Sequence, residues 1–171
     1  VSIIEHASNA DIADWVAARL DTALAMADGK LAIALPGGAT PFPILDLLLA
    51  KPLAWHRLQV FPTDDRRVAE DHPASNTGKL RALFAPVGAQ GCALDDAALP
   101  EWFALVWLGM GGDGHVASLF PNTDPRANDR QQVRRLTPDP LPPEAPFDRV
   151  TLTIPALLNS DEVMFVIRGE D

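Results

Sequence analysis

The chain has 171 residues, 47% of them hydrophobic and 22% charged, a balance ordinary for one globular domain with a sizeable core. Its net charge of −9 and pI near 4.7 exclude a broad nucleic-acid footprint, which needs a basic face. No run of about 18 apolar residues and no basic-then-apolar leader occurs, so neither a membrane span nor a secretory signal is read. The cytoplasm is therefore the expected compartment. The single cysteine, Cys92, excludes an internal disulfide and reads as structural.

From the N-terminus, Ile12, Trp15, Val16, Leu20 and Leu24 recur at helical spacing. They predict a packing helix capped by Ser8 or Asn9, reaching Asp28 and closed by Gly29. Leu31 to Leu35 is a short apolar run of strand type that ends in PGGATP, Pro36 to Pro41. A helix over Phe42 to Ala50 follows, so Gly37, Gly38, Ala39 and Thr40 open a helix N-terminus. Its free N–H groups and the Thr40 hydroxyl suit a phosphate or a sugar hydroxyl. Taken alone, such a Gly-Gly is more often only a tight turn.

Leu58 to Pro62 is a third strand, followed by the polar stretch Thr63 to Phe84, in which Ser75 or Asn76 caps a helix containing Leu80, Leu83 and Phe84. Composition alone assigns Asp64, Asp65, Arg66 and Arg67 to a solvated loop. Position argues otherwise: ligands of open α/β sheets bind beyond the carboxyl ends of parallel strands, where these loops fall. The repeated strand–helix units predict an α/β fold: a single domain with a mainly parallel, doubly wound sheet flanked by helices and right-handed crossovers.

Ala85 to Glu101 is poorly patterned and leads into a strand from Trp102 to Leu108. Its buried end, Leu105 to Leu108, breaks into Gly109, Gly111, Gly112 and Gly114 before helix-competent residues resume. Asp113 and His115 lie inside that turn. A titratable imidazole beside a carboxylate at a strand end is a candidate general-base site. Ser118, one helical turn past His115, reads as a helix-packing residue, because the segment lacks the G-x-S-x-G elbow of a serine nucleophile. His6, His56 and His72 have no ligand spacing with His115, so no metal is expected. The prolines between Pro121 and Pro155 mark rigid loop. Val150 to Ile154, alternating apolar residues and Thr, predicts an edge or half-buried strand, and Val163 to Ile167 a central buried one. Arg149 and Arg168 flank these strands at the sheet ends, where most arginines are surface residues.

Four segments, in order, resemble the 6-phosphogluconolactonases, within the larger glucosamine-6-phosphate isomerase/deaminase-like group. They are LPGGATP at Leu35 to Pro41, TDDRRVAEDHPASN at Thr63 to Asn76, LGMGGDGHVASLFP at Leu108 to Pro121, and DRVTLTIPALLNSDEVMFVIRGED at Asp148 to Asp171. The third is the most specific. The resemblance implies a Rossmann-like fold of the glucosamine-6-phosphate deaminase/ribose-5-phosphate isomerase type, and hydrolysis of 6-phospho-D-glucono-1,5-lactone to 6-phosphogluconate in the oxidative pentose phosphate pathway. It implies no metal or organic cofactor and a small-molecule phosphosugar lactone as partner; charge and hydropathy add the expectation of no nucleic-acid or membrane partner, and a monomer is expected, with an oligomer left open.

Residue by residue, the resemblance makes His115 the base that activates water, framed by Asp113, Gly112 and Gly114. Arg66 becomes a contact to the anionic substrate, Gly38, Ala39 and Thr40 line the sugar-phosphate site, and Asp64 orients Arg66 or binds hydroxyls; Gly37 and Arg149 are further candidate substrate-binding residues. The sequence departs from the family pattern at Asp65, usually Glu, and at Ala39, commonly Ser. The pattern also continues past Gly-Glu-Asp into a lysine that contacts phosphate and a further helix, so residues 1–171 are expected to form one such domain without its C-terminal helix. The stretch between Phe84 and Trp102 is short for the helix and strand the family has there. An amino-sugar phosphate isomerase/deaminase is the nearest alternative, disfavoured by ASLFP at Ala117 to Pro121, where deaminases carry a Phe-Asn-Glu-Pro type segment. A catalytically silent phosphosugar-binding protein is the other.

Overall fold

Every residue of strand β1 (Leu31–Leu35) is buried, because the strand is covered on both faces. Leu31, Ile33 and Leu35 point into one apolar cluster and Ala32 and Ala34 into another, so the run is continuously apolar rather than alternating. The computed structural model describes residues 1–94, 99–123, 125–143 and 145–169. Part of the poorly patterned 85–101 stretch and the Glu-Asp that ends the fourth family-like segment lie outside the described residues.

β1 pairs in parallel with β2 (Leu58–Pro62) on one side and β5 (Leu105–Leu108) on the other. β4 (Gln90–Gly91) extends the sheet beyond β2, and β8 (Val163–Phe165) beyond β5, giving the order β4-β2-β1-β5-β8. The chain leaves β1 for β2 on one side and later returns through β5 on the other. The crevice between the carboxyl ends of β1 and β5 is therefore a topological switch point.

One face of this sheet is covered by α1 (Asn9–Met26), α2 (Pro41–Leu49) and α3 (Asn76–Phe84). α1 begins at a capping box: Ser8 Oγ accepts the Asp11 N–H at 3.2 Å, and Asp11 Oδ2 accepts the Ser8 N–H at 2.9 Å. It buries Ala13, Val16, Leu20 and Leu24, its Val and Leu side chains contributing about 1.5 to 3 kcal/mol each. It stops at Met26, short of the expected Asp28, and the cap residue is Ala27 in extended backbone rather than Gly29. Arg57 ties that end down by donating to the carbonyls of Leu24, Ala27 and Gly29.

The expected mainly parallel sheet flanked by helices is present, with its second face covered differently from the three-helix one. A three-stranded antiparallel sheet, ordered β3 (Asp64–Arg66), β7 (Arg149–Leu152), β6 (Val133–Leu136), packs there with the short α4 (Ile154–Leu158). Val133, Leu152, Ala156 and Leu157 close the second cluster against Ala34, Phe61 and Val106. Three expectations are corrected by this sheet. Asp64–Arg66 is a strand, not a solvated loop. β6 interrupts the proline-rich connection. The segment expected over Val150 to Ile154 is the middle strand of the second sheet and gives way to α4 at Ile154. Three- and four-residue strands carry too little periodicity to be seen locally, and pairing partners up to 87 residues apart supply their stability.

Two further corrections concern the main sheet. The strand expected from Trp102 begins at Leu105, Phe103 making only an isolated bridge to Ser160. Val163 to Ile167, read as a central strand, forms a strand only to Phe165 and lies at the edge: among the described residues β8 pairs with β5 alone, and Phe165 and Ile167 are 48% and 60% exposed. An apolar run reports the composition of a strand, and sheet order is set by crossovers the run does not encode. No helix among the described residues is long and apolar enough to cross a membrane.

Candidate active site

The loops after β1, β2 and β5 surround a cleft of about 360 Å³. Gly37, Gly38 and Thr40 form one side, with α2 starting at Pro41. The first helical position is filled by a proline, whose missing N–H is no loss there. Ala39, Gly112, Asp113 and Gly114, all expected at the site, do not line the cleft; His115, Asp64, Arg66 and Arg149 do.

The glycine turn after β5 is closed by Gly111 N–H donating to His115 O at 2.9 Å and Gly114 N–H to Gly111 O at 2.9 Å. Gly114 sits at φ 85°, a region that L side chains avoid. At Gly111 a Cβ would come within 2.2 Å of His115 Cε1, so the imidazole occupies the space that side chain would need. His115 Nδ1 lies 2.5 Å from Asp113 Oδ1, and the ring packs on Phe120 with centroids 4.7 Å apart. Hydrogen bonds from the His115 side chain and then its backbone hold the Asp113 carboxyl below the ordinary range. An Nδ1–H committed to a carboxylate leaves Nε2 as the proton acceptor of the neutral ring.

No helix follows this turn. Val116 and Leu119 form an isolated bridge, Ala117 takes φ 51°, and a short 3₁₀ turn begins only at Pro121. Ser118 is therefore not a helix-packing residue. It is 1% exposed, lines the cleft and donates from Oγ to Asp64 Oδ2 at 2.5 Å.

The opposite wall is the β3–β7 pair. Arg66 and Arg149 stand directly across from each other in its register, an arrangement that repels unless negative charge is nearby. Asp64 supplies part of that charge. Arg66 Nη1 donates to Ala74 O at 3.0 Å, so its guanidinium is fixed by a hydrogen bond to a backbone carbonyl rather than to the Asp64 carboxylate. Arg149 is 3% exposed and donates to Ala145 O at 2.7 Å and to Phe147 O. It is thus a buried residue that props a cleft-lining loop, against the surface position its sequence context favours. Burial first, and then the Arg66 charge, lower its pKa. For Asp64 burial is the leading effect and raises the pKa, opposed by the Ser118 hydrogen bond and by the two arginines. Asp64 nonetheless keeps part of its surface open, as befits a group at the bottom of a cleft rather than in a closed core.

Asp65 turns the other way. Its carboxylate accepts the Asn76 N–H at 2.6 Å and the Thr77 N–H at 2.9 Å, which caps α3 and ties β3 to it. The short Asp arm therefore serves the helix N-terminus and not the cleft. Among the described residues, the buried side-chain polar atoms without a protein partner are Thr63 Oγ1, Arg66 Nε and Asn76 Oδ1. All three belong to residues of this one cleft. Thr63, Asn76, Ser118 and Arg168 are not among the site residues expected from the sequence, although each lies within one of the four family-like segments. Arg168 also anchors the N-terminal segment, donating to Ala7 O at 3.0 Å and Asn9 Oδ1 at 2.8 Å. No group of three or more metal-binding side chains occurs among the described residues.

The fold and site define an α/β protein with a polar cleft at a topological switch point, an Asp-backed histidine on one wall and paired arginines on the other. The family model described as glucosamine-6-phosphate isomerases/6-phosphogluconolactonase matches residues 5–92 and 89–171, and the chain belongs to that family. It is 34% identical to a 6-phosphogluconolactonase of Pseudomonas aeruginosa, over 93% of this chain and 75% of that protein. The identity to a 6-phosphogluconolactonase of Pseudomonas putida is 35%, over 94% and 74%. The crystal structure of a 6-phosphogluconolactonase from Thermotoga maritima superposes with a TM-score of 0.83 at 28% identity, covering 99% of this chain and 84% of that one.

Proposed function

We propose that the chain hydrolyses 6-phospho-D-glucono-1,5-lactone to 6-phosphogluconate, the lactonase step of the oxidative pentose phosphate pathway, in the cytoplasm, with residues 1–171 belonging to a single domain. The observation that carries this reading is that His115, backed by Asp113, lines the same cleft as the cross-strand pair Arg66 and Arg149. The relatives named as 6-phosphogluconolactonases support it.

In this reading the phosphate lies against the guanidiniums and the loop of Gly37, Gly38 and Thr40. The lactone ring faces the glycine turn. His115 Nε2 takes a proton from water as the water oxygen bonds to C1, and the carbonyl electrons move onto its oxygen. The tetrahedral intermediate then collapses, the C1–O5 bond breaks, and O5 takes the proton back from the imidazolium. The new carboxylic acid ionises to solvent. A δ-lactone is already reactive, so base catalysis and fixed orientation suffice and no covalent intermediate on a serine is needed.

The test is acid release from freshly generated lactone, measured against its spontaneous hydrolysis. Catalysis well above that background is the expected result. Background rates, or ammonia release from glucosamine 6-phosphate in its place, would falsify the lactonase reading.

A further inference from the structure

Ser118 makes two bonds that leave its own loop. Its Oγ donates to Asp64 Oδ2 at 2.5 Å, and its backbone N–H donates to Thr151 Oγ1 at 3.2 Å. Asp64 and Thr151 are partners in the β3–β7 register. One residue, three past His115, is thereby stapled to both strands of the wall that carries the arginines. Ala117, immediately before it, sits at φ 51°, a conformation that an alanine holds only where surrounding contacts impose it.

On the Asp64 side, Oδ2 is engaged, and Oδ1 has no donor among the described residues although Asp64 lines the cleft. A carboxylate held by one oxygen, with the other free, is suited to accept a hydrogen bond from a sugar hydroxyl. We infer that Ser118 is a positioning residue: its hydroxyl aims Asp64 at a hydroxyl of the bound sugar, and its backbone fixes the His115 turn relative to that carboxylate. This rests on the lactonase reading. The charged groups facing Asp64 are Arg66 and Asp65 on its own strand and Arg149 on β7. None of the three is hydrogen-bonded to Ser118, whose partners are Asp64 and Thr151. The Ser118 hydrogen bond favours the ionised form of Asp64, so its loss moves ionisation to higher pH.

The experiment measures kcat and KM against pH for the wild type, Ser118→Ala, Asp64→Asn and the double variant, with thermal unfolding as a check on folding. Ser118→Ala is expected to lower kcat/KM by about 10-fold to 100-fold and to move the acid limb of the profile to higher pH. In the Asp64→Asn background the same substitution is expected to cost less than about 3-fold, because no carboxylate remains to be aimed. Ser118→Cys, close in volume and a weaker donor, is expected to fall between wild type and alanine, and it carries the comparison if the alanine variant unfolds. Additive losses, an unmoved acid limb or near-normal turnover of Ser118→Ala in an active enzyme would overturn the inference alone. A wild type without lactonase activity would overturn it together with the proposed function.

Discussion

The two walls of the cleft are made in opposite ways. The glycine-turn wall is local: Asp113 and His115 are two residues apart, and the hydrogen bonds that close the turn lie within Gly111 to His115. The β3–β7 wall is assembled from residues 66 and 149, held in register by an antiparallel ladder and by Asp65 clamping α3. In the proposed function the local wall carries the proton chemistry, and the non-local wall concentrates positive charge. Damage to the first should therefore appear in turnover, and damage to the second in ligand affinity and in stability.

The largest effect expected is at His115. His115→Ala should lower kcat by about 100-fold or more while calorimetry still detects 6-phosphogluconate binding; loss of binding in step with turnover would erase the division of labour between the walls. Arg66→Ala and Arg149→Ala should weaken binding of 6-phosphogluconate by about 10-fold to 100-fold and leave the weak binding of unphosphorylated gluconate unchanged. Gly111→Ala tests how tightly the local wall is built. The added Cβ must displace the His115 ring, and a drop in kcat of roughly 10-fold to 100-fold is expected from that misplacement, with little change in Tm.

Asp65→Ala should act on the fold rather than the chemistry. Leaving the Asn76 and Thr77 N–H groups without their acceptor costs about 1 to 3 kcal/mol, a fall in Tm of roughly 3 to 10 °C, which calorimetric scans would record. The smallest effect is the pH dependence of stability at Asp64. Its folded pKa lies above the ordinary 3.8, so the folded chain binds more protons than the unfolded chain between those two values. The contribution of Asp64 to stability is thus fully present below 3.8 and is lost as pH rises through the folded pKa. The Tm of the wild type relative to Asp64→Asn should rise as the solution is acidified across that window. A difference that stays flat would mean that the arginines and Ser118 offset the desolvation of Asp64 in full.

The contrast between the walls also explains what could be read from the chain. α1, β1, α2, β2, α3 and the buried end of β5 were legible because each carries its own periodicity or cap: Leu20 and Leu24 on a helical face, Ser8 and Ser75 at N-termini, LAIAL as a doubly covered strand. The turn holding His115 was legible because its glycines and titratable residues are contiguous. β3, β6 and the antiparallel sheet were not, since a three-residue strand such as Asp64-Asp65-Arg66 has no pattern apart from its partner. Val163 to Ile167 misled for a related reason: only its first three residues form a strand, at the sheet edge, and Phe165 in that strand and Ile167 beyond it remain exposed.

The sequence by itself determined the class of fold, the order of the strand–helix units, and a candidate base in a glycine turn at a strand end, because hydrophobic period, caps and turn residues act over a few positions. Only the tertiary structure decided that Arg149 is buried opposite Arg66, that Asp65 faces a helix while Asp64 faces the cleft, and that Ser118 joins the two walls. The physical reason is range. Each of those three facts depends on a neighbour fixed by strand register or by the packing of one loop on another, and no residue carries a local mark of the partner that folding will place beside it.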